Sequence, residues 1–171
     1  MGNRLSSNFF QREVLKVAPE LIGKTLVRQF NDNTIHRYTI TETEAYRGGD
    51  DRACHANKGK TKRTEVMFRE GGLVYVYLIY GMYWMLNFVT GKENDSSAVL
   101  IRGIDSISGP GKVGKELQLD KSFYGENLLT SERIWVEESG IKPNYTTTER
   151  VGIDYAGEPW VSKQWRFIIK K

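Results

Sequence analysis

The 171-residue chain has a single cysteine, Cys54, only two histidines and four prolines. One cysteine excludes an intramolecular disulfide and favours a reducing compartment over a secreted setting. One cysteine and two histidines also leave few ligands for a structural zinc site, so no metal is expected. No apolar run is long enough to span a bilayer, and neither a membrane partner nor a signal peptide is expected. Internal repeats and low-complexity segments are missing too. With 39% hydrophobic and 27% charged residues, the composition is that of a soluble globular protein. The length suits one domain, 1–171, with a sizeable core.

Basic and aromatic residues are what the chain does have. The formal net charge is +4 and the pI about 9.1, which suits an anionic partner without identifying one. Nine tyrosines and four tryptophans are many for this length. Beside basic residues, such rings can stack on nucleobases as well as fill a core.

Read along the chain, Ser7-Asn8 suggests a helix cap, and Phe9, Phe10, Val14, Leu15 and Val17 follow at near-helical spacing. Pro19 is expected to separate two short helices, with Gly23 ending the second. Thr25 to Gln29 reads as a strand, Asn31-Asp32-Asn33 as a turn, and Ile35 to Tyr46 as the next strand. Residues 47–72 form a long polar loop whose middle is basic through Lys58, Lys60, Lys62 and Arg63. It is either a solvated charge run or a functional loop. Leu73 to Thr90 is the strongest hairpin candidate, with Gly81 at the turn and Tyr80 at or near the tip. Ala98 to Ile104 reads as a strand. Gly109-Pro110-Gly111-Lys112 reads as a break before a short helix from Val113 to Leu119, and the tail from Arg150 to Ile169 as closing strands. The expected fold is α+β: a curved, mainly antiparallel sheet with flanking short helices and a protruding β-hairpin.

Two segments carry possible chemistry. In Thr39-Ile-Thr-Glu-Thr-Glu-Ala-Tyr46, strand alternation puts Ile40, Glu42, Glu44 and Tyr46 on one face. A carboxylate beside an aromatic ring there could begin a pocket for a flat ligand, with a base to act on it. The alternative is an edge strand with a solvated charged face. The second segment, Gly109-x-x-x-x-Gly114-Lys115, fits most of a phosphate-binding loop. It continues with Glu116 where Ser or Thr is needed, and a carboxylate there repels phosphate.

Taken together, the motifs resemble the 3-methyladenine DNA glycosylase family of the alkyladenine type. The matching stretches are Glu42-Thr-Glu-Ala-Tyr-Arg-Gly48, Ala53-Cys-His55, Arg63-Thr-Glu-Val-Met-Phe68, Tyr75-Val-Tyr-Leu-Ile-Tyr-Gly-Met82 with Asn87, Ala98-Val-Leu-Ile-Arg102, Gly109-Pro-Gly-Lys112 and Arg150-Val-Gly-Ile-Asp-Tyr-Ala-Gly-Glu158. They fall in family order across nearly the whole chain.

The resemblance implies a monofunctional enzyme that flips alkylated or deaminated purines out of duplex DNA and hydrolyses the N-glycosidic bond. It implies Glu44 as the base that activates water, with Arg102 and the backbone carbonyl of Val151 positioning that water. Tyr46, His55 and Tyr77 would wall the base pocket, and the backbone around Ala53 and His55 would read the base edge. Asn87 would exclude 2-amino purines. Tyr80 would wedge into the gap left by the flipped nucleotide, and Lys112, Lys121 and Ser122 would contact backbone phosphates. The implied partner is double-stranded DNA containing damaged purines. No cofactor is implied, nor a Schiff-base step, and the protein is expected to act as a monomer. It would work in the cytoplasm with the nucleoid in a bacterium, or in the nucleus of a eukaryote.

The chain departs from the family pattern in places. Gly49, Arg52 and Lys62 stand where relatives commonly have proline, and Tyr83 where bacterial relatives often have His. Only Ser106-Ile-Ser108 remain of a longer insertion before Gly109. Two rival readings are a nucleic-acid-binding module without chemistry and an O-glycoside hydrolase using Glu42 and Glu44, whose strand spacing of roughly 7 Å does not exclude it.

Overall fold

The structure, a computed structural model, describes residues 2–171. Two short helices, α1 (Ser7–Phe10) and α2 (Val14–Glu20), open the fold. They break at Gln11–Glu13, not at Pro19 as the sequence suggests. The Glu13 side chain caps α2 by accepting from the Leu15 N–H at 2.8 Å. Pro19 removes one donor without ending the turn, because the Leu21 N–H still reaches the Val17 carbonyl at 3.0 Å.

The strands are β1 (Thr25–Gln29), β2 (Ile35–Tyr46), β3 (Val74–Ile79), β4 (Tyr83–Thr90), β5 (Ser97–Ile104), β6 (Ile107–Ser108), β7 (Ile134–Glu137), β8 (Tyr145–Thr148) and β9 (Arg166–Ile169). Every pairing among them is antiparallel, and the main order is β3-β4-β5-β2-β1-β7. The twelve-residue β2 is the spine. Its first half pairs with β1, and its second half lies between β5 and β9. The result is the curled, mainly antiparallel α+β architecture expected from the pattern.

A bulge sets what each face of β2 carries. Ile40 faces Ile104 and Thr43 faces Ile101, but between them Glu42 faces Gly103 and the ladder shifts twice. Ile40 and Ala45 consequently both lie in the main core, and the Thr43 hydroxyl bonds to the Ala18 carbonyl of α2 at 2.9 Å. Glu44 and Tyr46 line the opposite face. The expectation that Ile40 shares their face is corrected by this irregularity, which alternation cannot foresee.

The core face is covered by the helices. Phe10, Val17, Leu21, Val113 and Leu117 pack against Leu86, Phe88, Val99, Ile101 and Ile104. Each such side chain contributes about 2 kcal/mol by leaving water. Helix α3 (Pro110–Glu116) starts within the expected break, because Pro110 occupies the first helical turn, where its missing N–H costs nothing. A Cβ on Gly114 would sit 1.9 Å from the Trp84 carbonyl oxygen, so this glycine serves close helix–strand packing. The Glu116 carboxylate accepts from the Tyr38 hydroxyl at 3.0 Å. The phosphate-loop spacing thus has a packing explanation.

Residues 47–72 are not simply a solvated loop. They contain two 3₁₀ turns, His55–Lys58 and Glu65–Phe68. Cys54, Ala56, Val66 and Met67 form a small second core with Tyr75 of β3. The shortened insertion is a tight turn at Asp105-Ser106 between β5 and β6, and the Thr39 N–H donates to the Asp105 carboxylate at 2.7 Å. Of the expected closing strands, Arg166–Ile169 alone is strand, and Asp154–Ala156 is a 3₁₀ turn.

Candidate active site

The sheet face opposite the core forms one wall of a cavity of about 450 Å³, within the usual size range of small-molecule pockets. Strand β5 contributes Ala98, Leu100 and Arg102, β2 contributes Tyr46, β4 contributes Met85 and Asn87, and β3 contributes Tyr75 and Tyr77. The 47–72 segment adds Ala53, His55, Arg63 and Met67, and the segment after β8 adds Val151 to Ile153 with Tyr155. The long segments therefore close the cavity that the sheet opens.

Glu44 lies beneath this wall and is 0% exposed. Its Oε2 accepts from the Tyr46 hydroxyl at 2.6 Å, and its Oε1 accepts from the Val151 N–H at 2.8 Å. The Arg102 Nε stands 3.5 Å from Oε1. Burial pushes the Glu44 carboxyl above its ordinary value, against the pull of Arg102, the Tyr46 hydroxyl, the Val151 N–H and Arg150. Burial and the Glu44 charge together hold the Tyr46 phenol well above its usual range, so Tyr46 stays a donor. A buried carboxylate held by two hydrogen bonds and an ion pair is an aimed proton acceptor.

The segment that delivers Val151 is anchored by a buried ion pair. Arg150 Nη1 and Nη2 donate to Asp51 Oδ2 and Oδ1 at 2.6 and 3.0 Å, and neither side chain is exposed. Arg150 also donates to the Ala45 carbonyl at 2.9 Å and lies 4.8 Å from the Tyr46 ring centre. Asp51 in turn accepts from the N–H groups of Arg47 and Ala53 at 3.0 Å each. One salt bridge thereby fixes both flanking loops against β2. Removing one partner from such a pair would cost about 3–5 kcal/mol, because a buried charge is left alone.

The aromatic wall is built edge to face. The His55 ring lies 4.6 Å from that of Tyr77, and its Nδ1 is 2.9 Å from the Tyr75 hydroxyl. Burial, aided by Arg63, pushes the His55 pKa down to about 4, so the imidazole is neutral near pH 7. Asn87, which lines the cavity, is buried with Nδ2 donating to the Tyr75 carbonyl at 3.2 Å. Tyr80, also on the cavity rim, is 87% exposed at the turn between β3 and β4. Both central residues of that turn are left-handed, Tyr80 at φ 53° and Gly81 at φ 65°. Glycine adopts this freely, whereas a tyrosine is held there at about 1–3 kcal/mol.

The family model for methylpurine-DNA glycosylases matches residues 8–108 and 105–171. The chain belongs to the methylpurine-DNA glycosylase family. By that membership it is a DNA glycosylase, a hydrolase of N-glycosyl bonds in DNA repair. Similar proteins assigned as 3-methyladenine DNA glycosylases include one from Rickettsia felis, 44% identical over 172 residues, covering 96% of this chain and 92% of its own. One from Psychrobacter cryohalolentis is 40% identical over 187 residues, covering 92% and 87%. One from Natranaerobius thermophilus is 40% identical over 192 residues, covering 98% and 96%.

Within this methylpurine-DNA glycosylase, the cavity brings together Tyr46, Ala53, His55, Tyr77, Asn87, Arg102 and Val151, with Glu44 bonded beneath and Tyr80 at the rim. Val151 meets Glu44 through its N–H, a contact that expecting only its carbonyl overlooks. Lys112, Lys121 and Ser122 lie outside the cavity on exposed surface. Lys112 is in the first turn of α3, next to the rim residue Pro110. The Ser122 hydroxyl is already engaged, donating to Asp120 and accepting from Arg133 Nη1 at 3.0 Å. Sequence reading missed Asp51, Arg63, the Arg150 side chain and Tyr155, whose hydroxyl donates to the Ala53 carbonyl at 3.0 Å. The signal available for Arg150 and Tyr155 was their place in the matching stretch 150–158; for Asp51 there was none.

Proposed function

We propose that the cavity receives a methylated purine flipped out of duplex DNA, and that Glu44 activates the water that cleaves its N-glycosidic bond. The observation that carries this is the fully buried Glu44 carboxylate beneath an aromatic-walled cavity, oriented by Tyr46, Val151 and Arg102. A base in a duplex must leave the stack before its glycosidic bond is accessible. Tyr80 fills the vacated space from the rim, while Lys112 and Lys121 hold phosphates.

The chemistry asks little more of the protein. A 3-methylated adenine is cationic, so cleavage of its bond to C1′ returns the bonding pair to the ring and releases a neutral base without an acid. Water supplies the new bond to C1′, and Glu44 takes its proton. Tyr77 and Tyr46 offer π faces to the cation, worth about 1 kcal/mol each. The neutral His55 imidazole does not repel it. Arg102, its Nε bound to Glu42, lines the cavity and orients the water through its Nη groups.

The test is release of free base from duplexes carrying 3-methyladenine, 7-methylguanine, hypoxanthine or ethenoadenine, with wild type and Glu44→Gln side by side. Release of methylated purine that Glu44→Gln abolishes supports the reading. Undiminished release by the variant would remove Glu44 from the chemistry. The O-glycosidase alternative fits poorly, since Glu42 Oε1 is clamped by Arg102 at 3.0 Å and Arg166 at 2.6 Å. Both guanidiniums occupy the oxygen that would have to meet a substrate.

A further inference from the structure

We infer that Glu42 and Arg166 form a positioning pair that divides Arg102 between two carboxylates and so sets how firmly Arg102 holds Glu44. The inference rests on Glu44 being the base. Arg102 and Arg166 reach β2 from the strands on its two sides, β5 and β9, and meet at one atom, Glu42 Oε1. Arg166 is the cross-strand partner of Glu44, yet its guanidinium runs diagonally to Glu42. Arg102 Nε donates to Glu42 at 3.0 Å and stands 3.5 Å from Glu44 as an ion pair, so one guanidinium serves both carboxylates.

The cluster holds two carboxylates and two guanidiniums, and its charges balance. Glu42 is nearly as buried as Glu44, so the competition takes place away from bulk solvent, where it is strong. Glu42 draws Arg102 away from the base, and Arg166 limits that draw by occupying the same oxygen. The consequence is an intermediate hold: a Glu44 fully paired with Arg102 would be a weaker acceptor, and one without it would keep its proton to higher pH.

Removing each partner therefore acts in opposite directions. Without Arg166, Glu42 takes more of Arg102, and Glu44 keeps its proton to higher pH. Without the Glu42 charge, Arg102 turns wholly to Glu44, which ionises at lower pH. The other groups facing Glu44 are unchanged in both variants: Tyr46 on its own strand, Tyr77 on β3, and Arg150, Tyr155 and the Val151 N–H from the segment after β8.

The experiment is a single-turnover pH profile of methylpurine release from dimethyl-sulfate-treated duplex DNA, with enzyme-free depurination subtracted. The acid limb should move up by roughly one pH unit in Arg166→Met and down by a similar amount in Glu42→Gln. Arg166→Lys, which keeps the charge, should return most of the shift. A purely structural role would lower the plateau without moving the limb. Coincident limbs in folded Glu42→Gln and Arg166→Lys would overturn the pairing, even if Arg166→Met fails to fold. If Glu44→Gln retains wild-type release, the fault lies instead with Glu44 as the base. If Glu44→Gln is inactive and the limbs coincide, the positioning pair alone is wrong.

Discussion

The Tyr46 hydroxyl donates to Glu44 at 2.6 Å, and the two residues are neighbours on one face of β2. Burial first and the Glu44 charge second keep the Tyr46 phenol protonated, so it remains a donor to Glu44. Glu44→Gln preserves size and can still accept from Tyr46, but cannot take a proton. Excision should fall by at least roughly 100-fold, the scale of a lost general base. Duplex binding measured by anisotropy should survive, since no phosphate contact is touched. Glu42→Gln should cost far less; equal losses would return the paired-carboxylate alternative to contention.

Because burial raises the Glu44 pKa, the acid limb of excision should lie above the range of an ordinary glutamate, about 4.3. Tyr46→Phe removes one donor to the ionised form while keeping the ring. Its acid limb should rise further, with DNA binding little changed. A limb that stays in place would show that the hydroxyl does not tune the base.

His55 makes a pH-dependent contribution to folding. Its pKa falls from 6.5 to about 4 on folding, because burial and Arg63 disfavour the imidazolium. The unfolded chain takes up this proton first as pH falls. The contribution is therefore complete above the unfolded value and is lost as pH drops from about 6.5 towards 4, on the order of 2–3 kcal/mol in all. Urea denaturation of His55→Gln should show a shallower decline over that window than wild type. Parallel declines would mean that other groups carry the acid sensitivity.

What the sequence made legible follows from locality. Strand limits at Thr25–Gln29 and Ile35–Tyr46 were readable because turn residues bracket each run. The Tyr80-Gly81 turn was readable from its glycine. The bulge in β2 was not, because it arises from register against Arg102 and Gly103, some sixty residues away in the chain. The Arg150–Asp51 pair was illegible for the same reason: its partners are 99 residues apart, and each looks like a surface charge. The helix start at Pro110 was misplaced because the Gly-Pro-Gly string reads as a break, although proline suits a first turn. Motif resemblance could point to cavity residues, but not to the salt bridge that holds their loops.

Salt dependence tests the proposed phosphate contacts. Lys112 lies in the first turn of α3, two residues from the cavity-lining Pro110, and Lys121 is exposed beside Ser122, which Arg133 contacts. Replacing either by alanine should weaken binding to all duplexes alike and reduce the log–log salt slope by about one. Ser122→Ala should do less, because its hydroxyl already serves Asp120 and Arg133. Slopes unchanged in both lysine variants would place these residues away from the DNA.

The last prediction concerns the strained tyrosine. At φ 53° and 87% exposed, Tyr80 has neither a relaxed backbone nor a buried ring, so packing within this protein does not account for it. Leu78 and Met82 beside it are also exposed, giving the hairpin an apolar tip. Such a tip is suited to entering a base stack and filling the space of an extruded nucleotide. Tyr80→Ser should move the flipping equilibrium back towards the stacked state. Flipping costs a few kcal/mol in a stable pair and less at a mismatch. The excision defect should therefore be larger for a methylated purine opposite its normal partner than for the same lesion in a mispair. Thermal stability should change little, because no buried contact is lost, and relief at the backbone is small for serine. A variant that melts early yet excises normally from both contexts would make Tyr80 a packing residue and leave the wedge without a candidate.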